Sequence, residues 1–153
     1  NKIQKVLKKY WSENPTASLR SSITNVLKEN KINEISFIKN FISKNKNNDE
    51  SKKLLIEFAI YFNEWSTARE NIKGLVGNNP SRELCLFMSE IELGELNDVQ
   101  KSEGWKLRAN NAEIENYWIC KITNNPQKDW TTLSESGHFN SLEWRQPKML
   151  SVL

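Results

Sequence analysis

Residues 65–80 read WSTARENIKGLVGNNP, and this stretch decides the fold. Ala68, Ile72, Leu75 and Val76 recur at steps of four, three and one. That spacing keeps them on one face of a helix with about 3.6 residues per turn. Gly77-Asn78-Asn79-Pro80 then breaks the helix, because Gly leaves the helical conformation easily and Pro cannot continue one. The small side chain at Ala68 lets a second helix approach closely.

The pattern has copies. About 34 residues earlier, Ile38, Phe41 and Ile42 stand where Ile72, Leu75 and Val76 stand here. One step further back come Leu7, Tyr10 and Trp11, and Pro15 follows Trp11 as Pro80 follows Val76. About 34 residues later, Ser102 takes the place of Ala68, but Lys106, Ala109 and Asn110 replace the apolar trio, with Trp105 one position off. A terminal unit that turns polar reads as a cap, since its outer face meets solvent. A small residue, an apolar one four later and a closing Pro resemble the second helix of a tetratricopeptide (TPR) repeat. The resemblance implies an all-α fold of stacked helix pairs, a TPR-type solenoid, over residues 1–110.

Composition sets the outer bounds. The chain has 153 residues, 27% of them charged, and a net charge of +3. Its mean hydropathy is −0.69, and no apolar run approaches the ~18 residues of a membrane helix. The basic runs at Lys2–Lys9 and Lys39–Lys53 are mixed with polar residues and read as solvated helix faces. No glycine-aromatic or zinc-finger pattern accompanies them, so no nucleic-acid partner is expected. Two cysteines without close spacing, Cys85 and Cys120, make neither a disulfide framework nor a zinc site and favour a reducing compartment.

Along the chain, Ile3, Val6, Leu7, Tyr10 and Trp11 form a stripe on a first helix, the second member of a pair begun upstream. Pro15-Thr16 opens a helix with Leu19, Ile23, Val26 and Leu27 inward, ending near Asn30. Asn33-Glu34 opens another, burying Ile35, Ile38, Phe41 and Ile42. The polar stretch SKNKNNDES at 43–51 is a loop whose Asn48-Asp49 caps the next helix. That helix runs to about Phe62 with so wide an apolar face that it must be covered on two sides. A helix from Pro80-Ser81 ends near Gly94, and the last helix spans Asp98–Ala109.

Residues 111–153 differ in kind. Tyr117–Ile122 alternates, with Trp118, Cys120 and Ile122 on one side, and reads as a strand. Asn124–Gln127 is a turn, and Phe139–Trp144 is a second extended segment. Trp118, Trp130 and Trp144 carry too much aromatic area to stay solvated, so this Trp-rich tail is expected to fold back onto the last helix pair as a cap.

The run SRELCLFMSEIELGE, then YWIC and KDWTTLSESGHFNSLEWRQP, resembles the C-terminal part of alphaproteobacterial HemY proteins. Trp118, Trp130, Gly137, Phe139 and Glu143-Trp144-Arg145 carry the likeness, and Glu57–Ile60 and Asn63–Arg69 fit the family's repeat region. The resemblance implies a non-enzymatic scaffold for protein–protein interaction, associated with haem (porphyrin) biosynthesis. It implies an anchor in the bacterial inner membrane upstream of residue 1, with the cytoplasmic face favoured, and haem-biosynthesis enzymes as partners. Some relatives carry paired cysteines in this tail, suggestive of a zinc ribbon. Here Thr123, Ser134 and Ser136 accompany Cys120, and hydroxyls do not replace thiolates, so no metal is expected. A flavin-dependent protoporphyrinogen oxidase shares the family's name, but Gly74, Gly77, Gly94, Gly104 and Gly137 form no dinucleotide-binding loop.

Candidate chemistry is sparse. His138 is the only histidine, so Ser-His-Asp or metal clusters cannot be assembled from several. It is either an axial haem ligand or a loop residue. Cys120, and Met88 with Cys85, read as packing. Glu90, Glu92, Glu95, Glu113 and Glu115 read as solvated helix-end carboxylates. What remains is a binding surface. In TPR stacks the first helix of each pair lines the concave side. On the 49–62 helix that face holds Lys53, Glu57 and Tyr61. On the 81–94 helix it holds Phe87 and Ile91, where Phe87 either meets an apolar ligand or packs between helices. A haem or porphyrin carrier and a generic TPR adaptor are the alternative functions.

Overall fold

The computed structural model describes residues 2–127 and 130–146. Helices α1 (Lys2–Glu13), α2 (Ala17–Glu29), α3 (Ile35–Phe41), α4 (Asp49–Tyr61), α5 (Trp65–Val76), α6 (Arg82–Leu96) and α7 (Val99–Asn110) are followed by strands β1 (Tyr117–Cys120), β2 (Pro126–Gln127) and β3 (Leu142–Arg145). The fold is thus mostly helical, with a small antiparallel sheet in the order β2-β1-β3.

Local chemistry explains where the helices begin and end. Thr16, Asn48 and Ser81 cap α2, α4 and α6, accepting side-chain hydrogen bonds from the amides of Leu19, Glu50 and Leu84 at 3.3, 2.8 and 3.4 Å. Each satisfies an amide that the first turn leaves open. Asp98 does the same for α7 through the Lys101 amide at 3.0 Å. The two tight interhelical turns use left-handed asparagines, Asn63 and Asn97, a conformation Asn tolerates better than most side chains. Helix α6 therefore continues past Gly94 to Leu96 and stops at Asn97, two residues beyond the expected end. The segment after Phe41 contains a 3₁₀ turn, Ser43–Asn45, where a plain loop was expected.

Packing is sequential. Helices α4 with α5 and α6 with α7 make the closest pairs, α3 lies on α4 and α5 on α6, and α4 also touches α2 and α6. One core joins Trp11, Ile23, Leu27, Ile38, Phe41, Leu54 and Phe58. The other joins Ile56, Ala59, Ala68, Ile72, Leu84, Phe87 and Ile91. Helix α4 contributes to both, which accounts for its wide apolar face. Trp11 is fully buried and its indole N–H donates to Ser51 Oγ at 2.9 Å. Ser102, standing where the repeat has Ala68, is buried against Ser89 with their hydroxyls 2.8 Å apart. On α1 only Leu7 and Trp11 join the core, while Ile3, Val6 and Tyr10 stay exposed, so the expected stripe is half covered.

Gly94 sits under the indole of Trp65, and a Cβ there would enter the ring. Gly104 in α7 faces open space. Gly94→Ala is therefore expected to destabilise the fold by about 1–3 kcal/mol through overpacking, despite alanine's better helix propensity. Gly104→Ala should stabilise it by about 0.5–1 kcal/mol. Urea unfolding of the two variants tests the opposite signs.

The tail departs from expectation in three respects. The strand ends at Cys120 because the chain turns at Lys121–Thr123 and Asn124 is left-handed. Ile122 is consequently exposed, and Ile119 takes the buried place. The second extended segment is Leu142–Arg145, with Phe139 only bridged to Leu133. The tail also reaches beyond the last pair. Trp118 Nε1 donates to Ser21 Oγ of α2 at 2.9 Å, and the Arg82 amide of α6 donates to the Glu113 carbonyl at 3.0 Å. With Lys53 of α4 bridging to Glu115, it lies across α2, α4 and α6.

Candidate functional site

Arg20 organises this face. It lies on the same helical stripe as Ile23 and Leu27 and is only 4% exposed. Its guanidinium splays to three carboxylates on two other helices. Nε reaches Glu50 at 2.8 Å, Nη1 reaches Glu57 at 3.2 Å, and Nη2 reaches Glu83 at 2.7 Å. Glu50 and Glu57 are two turns apart on α4 and share a face. Burial alone would lower the Arg20 pKa, but the three carboxylates outweigh it and hold the guanidinium above its ordinary value. Lys53 continues the network at 3.7 Å from Glu50 and 3.6 Å from Glu115 of the tail.

Between this cluster and the tail lies a cavity of about 190 Å³. Arg20, Glu57, Arg82, Glu83, Phe87 and Glu90 form its helical wall, and Glu115, Asn116, Tyr117 and Trp144 close it. Trp144 is held by its strand partner Trp118, with ring centroids 5.1 Å apart. Burial pushes the Glu83 carboxyl above its usual range, Arg20 opposes this, and Glu115 and Glu57 add to it.

The residues expected on the concave face have different fates. Glu57 and Phe87 line the cavity, Phe87 also packing in the second core. Lys53 ties α4 to the tail. Tyr61 is exposed, with the Lys28 ammonium 5.1 Å from its ring centre. Ile91 is fully buried, so it cannot meet a partner; its position on α6 turns it into the second core.

Glu92, read as a solvated carboxylate, is instead 3% exposed and pairs with Arg69 at 2.6 Å, pinning α5 to α6. Glu115 is likewise structural at one oxygen, through Lys53. The sequence reading missed Arg20, Glu83, Tyr117 and Trp144 as site residues. The available signal was Arg20 itself, a charge on an otherwise apolar stripe.

His138 is not part of the cavity wall. Its amide donates to Ser134 Oγ at 3.1 Å and its carbonyl accepts from the Ser134 amide at 2.8 Å, which builds a turn. The cavity is also below the ~300 Å³ at which pockets for larger ligands begin. Cys120 is 1% exposed, with Sγ 3.2 Å from Ser141 Oγ. Hydrogen bonds with Ser141 and Thr123 pull its thiol down to about 5. The hydroxyls of Thr123, Ser136 and Ser134 bond in series at 2.9 and 3.2 Å and join the two turns of the tail. Burial pushes the Cys85 thiol up. Among the described residues, no three His, Cys, Asp or Glu side chains gather to hold a metal ion. No helix there is long and apolar enough to cross a membrane.

Comparison of the chain with protein-family models, curated proteins and solved structures finds no match.

Proposed function

We propose that the chain is a non-enzymatic protein-interaction module, a TPR-type stack of helix pairs that receives a partner segment on its first helices. The observation that carries this is the contiguous row of α2, α4 and α6, joined through Arg20, on which an extended segment already lies. That segment is the chain's own tail, held by the Ser21–Trp118 and Lys53–Glu115 contacts. A surface that accommodates one extended, Trp-bearing segment has the shape for another. The ion-paired carboxylates on this face favour binding over acid–base work, since their charge is already committed to Arg20 and Lys53. The sequence likeness of the tail to HemY proteins supports placing the module in a membrane-anchored scaffold near haem-biosynthesis enzymes.

Affinity capture from bacterial membranes tests this. One bait carries the native sequence and the other Lys53→Glu with Tyr61→Ala. Partners should be retained by the first and fall at least tenfold on the second, with late haem-synthesis enzymes among them. Equal recovery on both baits would overturn the interaction face. A retained set without those enzymes would remove only the haem link.

A further inference from the structure

We propose that the tail is a lid, which swings off α2, α4 and α6 as one folded piece and uncovers the face beneath it. The division starts in the cores. Among the described residues, both hydrophobic cores are built from positions up to Ile91, and no tail side chain joins either. Ile119 is fully buried yet belongs to neither. The tail is tied together by its own bonds. Strand β1 pairs with β2 and with β3, and Cys120 meets Ser141. Gln127 joins two turns, its Nε2 donating to Thr131 Oγ1 and its Oε1 accepting from the Glu135 amide, both at 2.9 Å.

The bonds that cross from tail to helices are polar. Trp118 Nε1 donates to Ser21 Oγ at 2.9 Å, and Asn25 Nδ2 to the Trp130 carbonyl at 3.4 Å. Lys53 stands 3.6 Å from Glu115, and the Arg82 amide donates to the Glu113 carbonyl at 3.0 Å. Water replaces each of these on opening, so each adds little net stability. The seam is also hollow. Besides the cavity of about 190 Å³, a space of about 330 Å³ lies between Ala17 and Ser81 on the helical side and Ile114 and Trp144 on the tail. Another of about 360 Å³ lies beside Trp118, Tyr10 and Leu19. Close-packed interiors leave no such gaps, and atoms that face one lose their contacts. Glu115 Oε1 and Arg82 Nε, on side chains at this seam, are buried without hydrogen-bond partners. Docking costs their hydration and opening restores it. The face uncovered is the Arg20 cluster, whose charges water solvates.

The lid rests on the interaction-module reading only for its use, admitting a partner segment. Opening itself is measured without a partner, so it stands or falls apart from the capture experiment. Amide hydrogen exchange of the full chain, labelled with ¹⁵N, reads it out. The Arg82 amide lies in the first turn of α6, where the helix offers no acceptor, so its protection comes from Glu113 of the tail. The Trp118 indole N–H reports the same event through Ser21. Both are expected to be protected at least about a hundredfold less than the Phe58 amide inside α4. The Cys120 and Lys121 amides donate within the tail to Asn125 and Ser141 at 3.0 and 2.7 Å. They should stay at least about tenfold better protected than Arg82. Ser21→Ala with Asn25→Ala removes two crossing bonds while keeping α2 helical. The pair should lower Arg82 protection a further tenfold or more and leave Phe58 unchanged. Both changes lie on α2, away from the Arg82–Glu113 bond, so the effect reaches Arg82 only if the tail moves as one piece. Arg82 protection equal to that of Phe58 would overturn the proposal. So would an Arg82 amide indifferent to the double variant, or Cys120 and Lys121 exchanging as fast as Arg82.

Discussion

Arg20→Ala is expected to cost about 3–5 kcal/mol of stability, because it strands buried carboxylates that this one guanidinium neutralises. Glu57 is as buried as Arg20, and the side chains of Glu50 and Glu83 are only 21% and 20% exposed. Urea unfolding near neutral pH measures the loss, and the pH dependence identifies its origin. The Glu83 carboxyl already lies above its ordinary value when folded. Between the ordinary value and the raised one the folded state holds the additional proton, so stability falls as pH rises through that window. Removing Arg20 deletes the opposing positive charge and deepens the effect. The gap between native and variant should therefore narrow as pH drops toward 4.5, the ordinary Glu value. A gap that stays constant with pH would show that the loss comes from packing and not from charge.

Trp11→Ala should be comparably severe, at about 3–5 kcal/mol. The ring is fully buried between α1, α2 and α4, so truncation leaves a cavity in the first core. It also removes the donor to Ser51 Oγ. Tyr10→Ser, one residue away but exposed, should change stability by less than about 0.5 kcal/mol. The contrast checks that α1 is bound to the first core through one edge. Thermal unfolding of both variants reads it out, and similar losses at the two positions would contradict the packing described.

How far the sequence led depended on the range of the contacts involved. Helices α4 and α5 were legible because their signals are local: the Asn48 cap, the Ala68–Val76 stripe and the Gly77 break. The wide apolar face of α4 also announced that it would be covered twice. The destination of the tail was not legible, since Trp118 meets Ser21 across most of the chain and no local pattern encodes that pairing. Ile122 was misplaced because alternation was extended one turn beyond the point where the backbone reverses. The charged centre escaped for a related reason. Glu50 and Glu83 look like ordinary helix carboxylates, Glu57 reads only as one residue of the concave face, and only the tertiary fold brings all three onto Arg20. Ile91 shows the converse, an apolar residue assigned outward by helix position and drawn inward by its neighbours.

Helix α4 gives Leu54, Leu55 and Phe58 to one core and Ile56 and Ala59 to the other. It therefore acts as a common wall between two rooms, and neither room can be emptied while the other stands. A row of helices packed in chain order could open from its ends, but the shared wall binds the two halves into one melting unit.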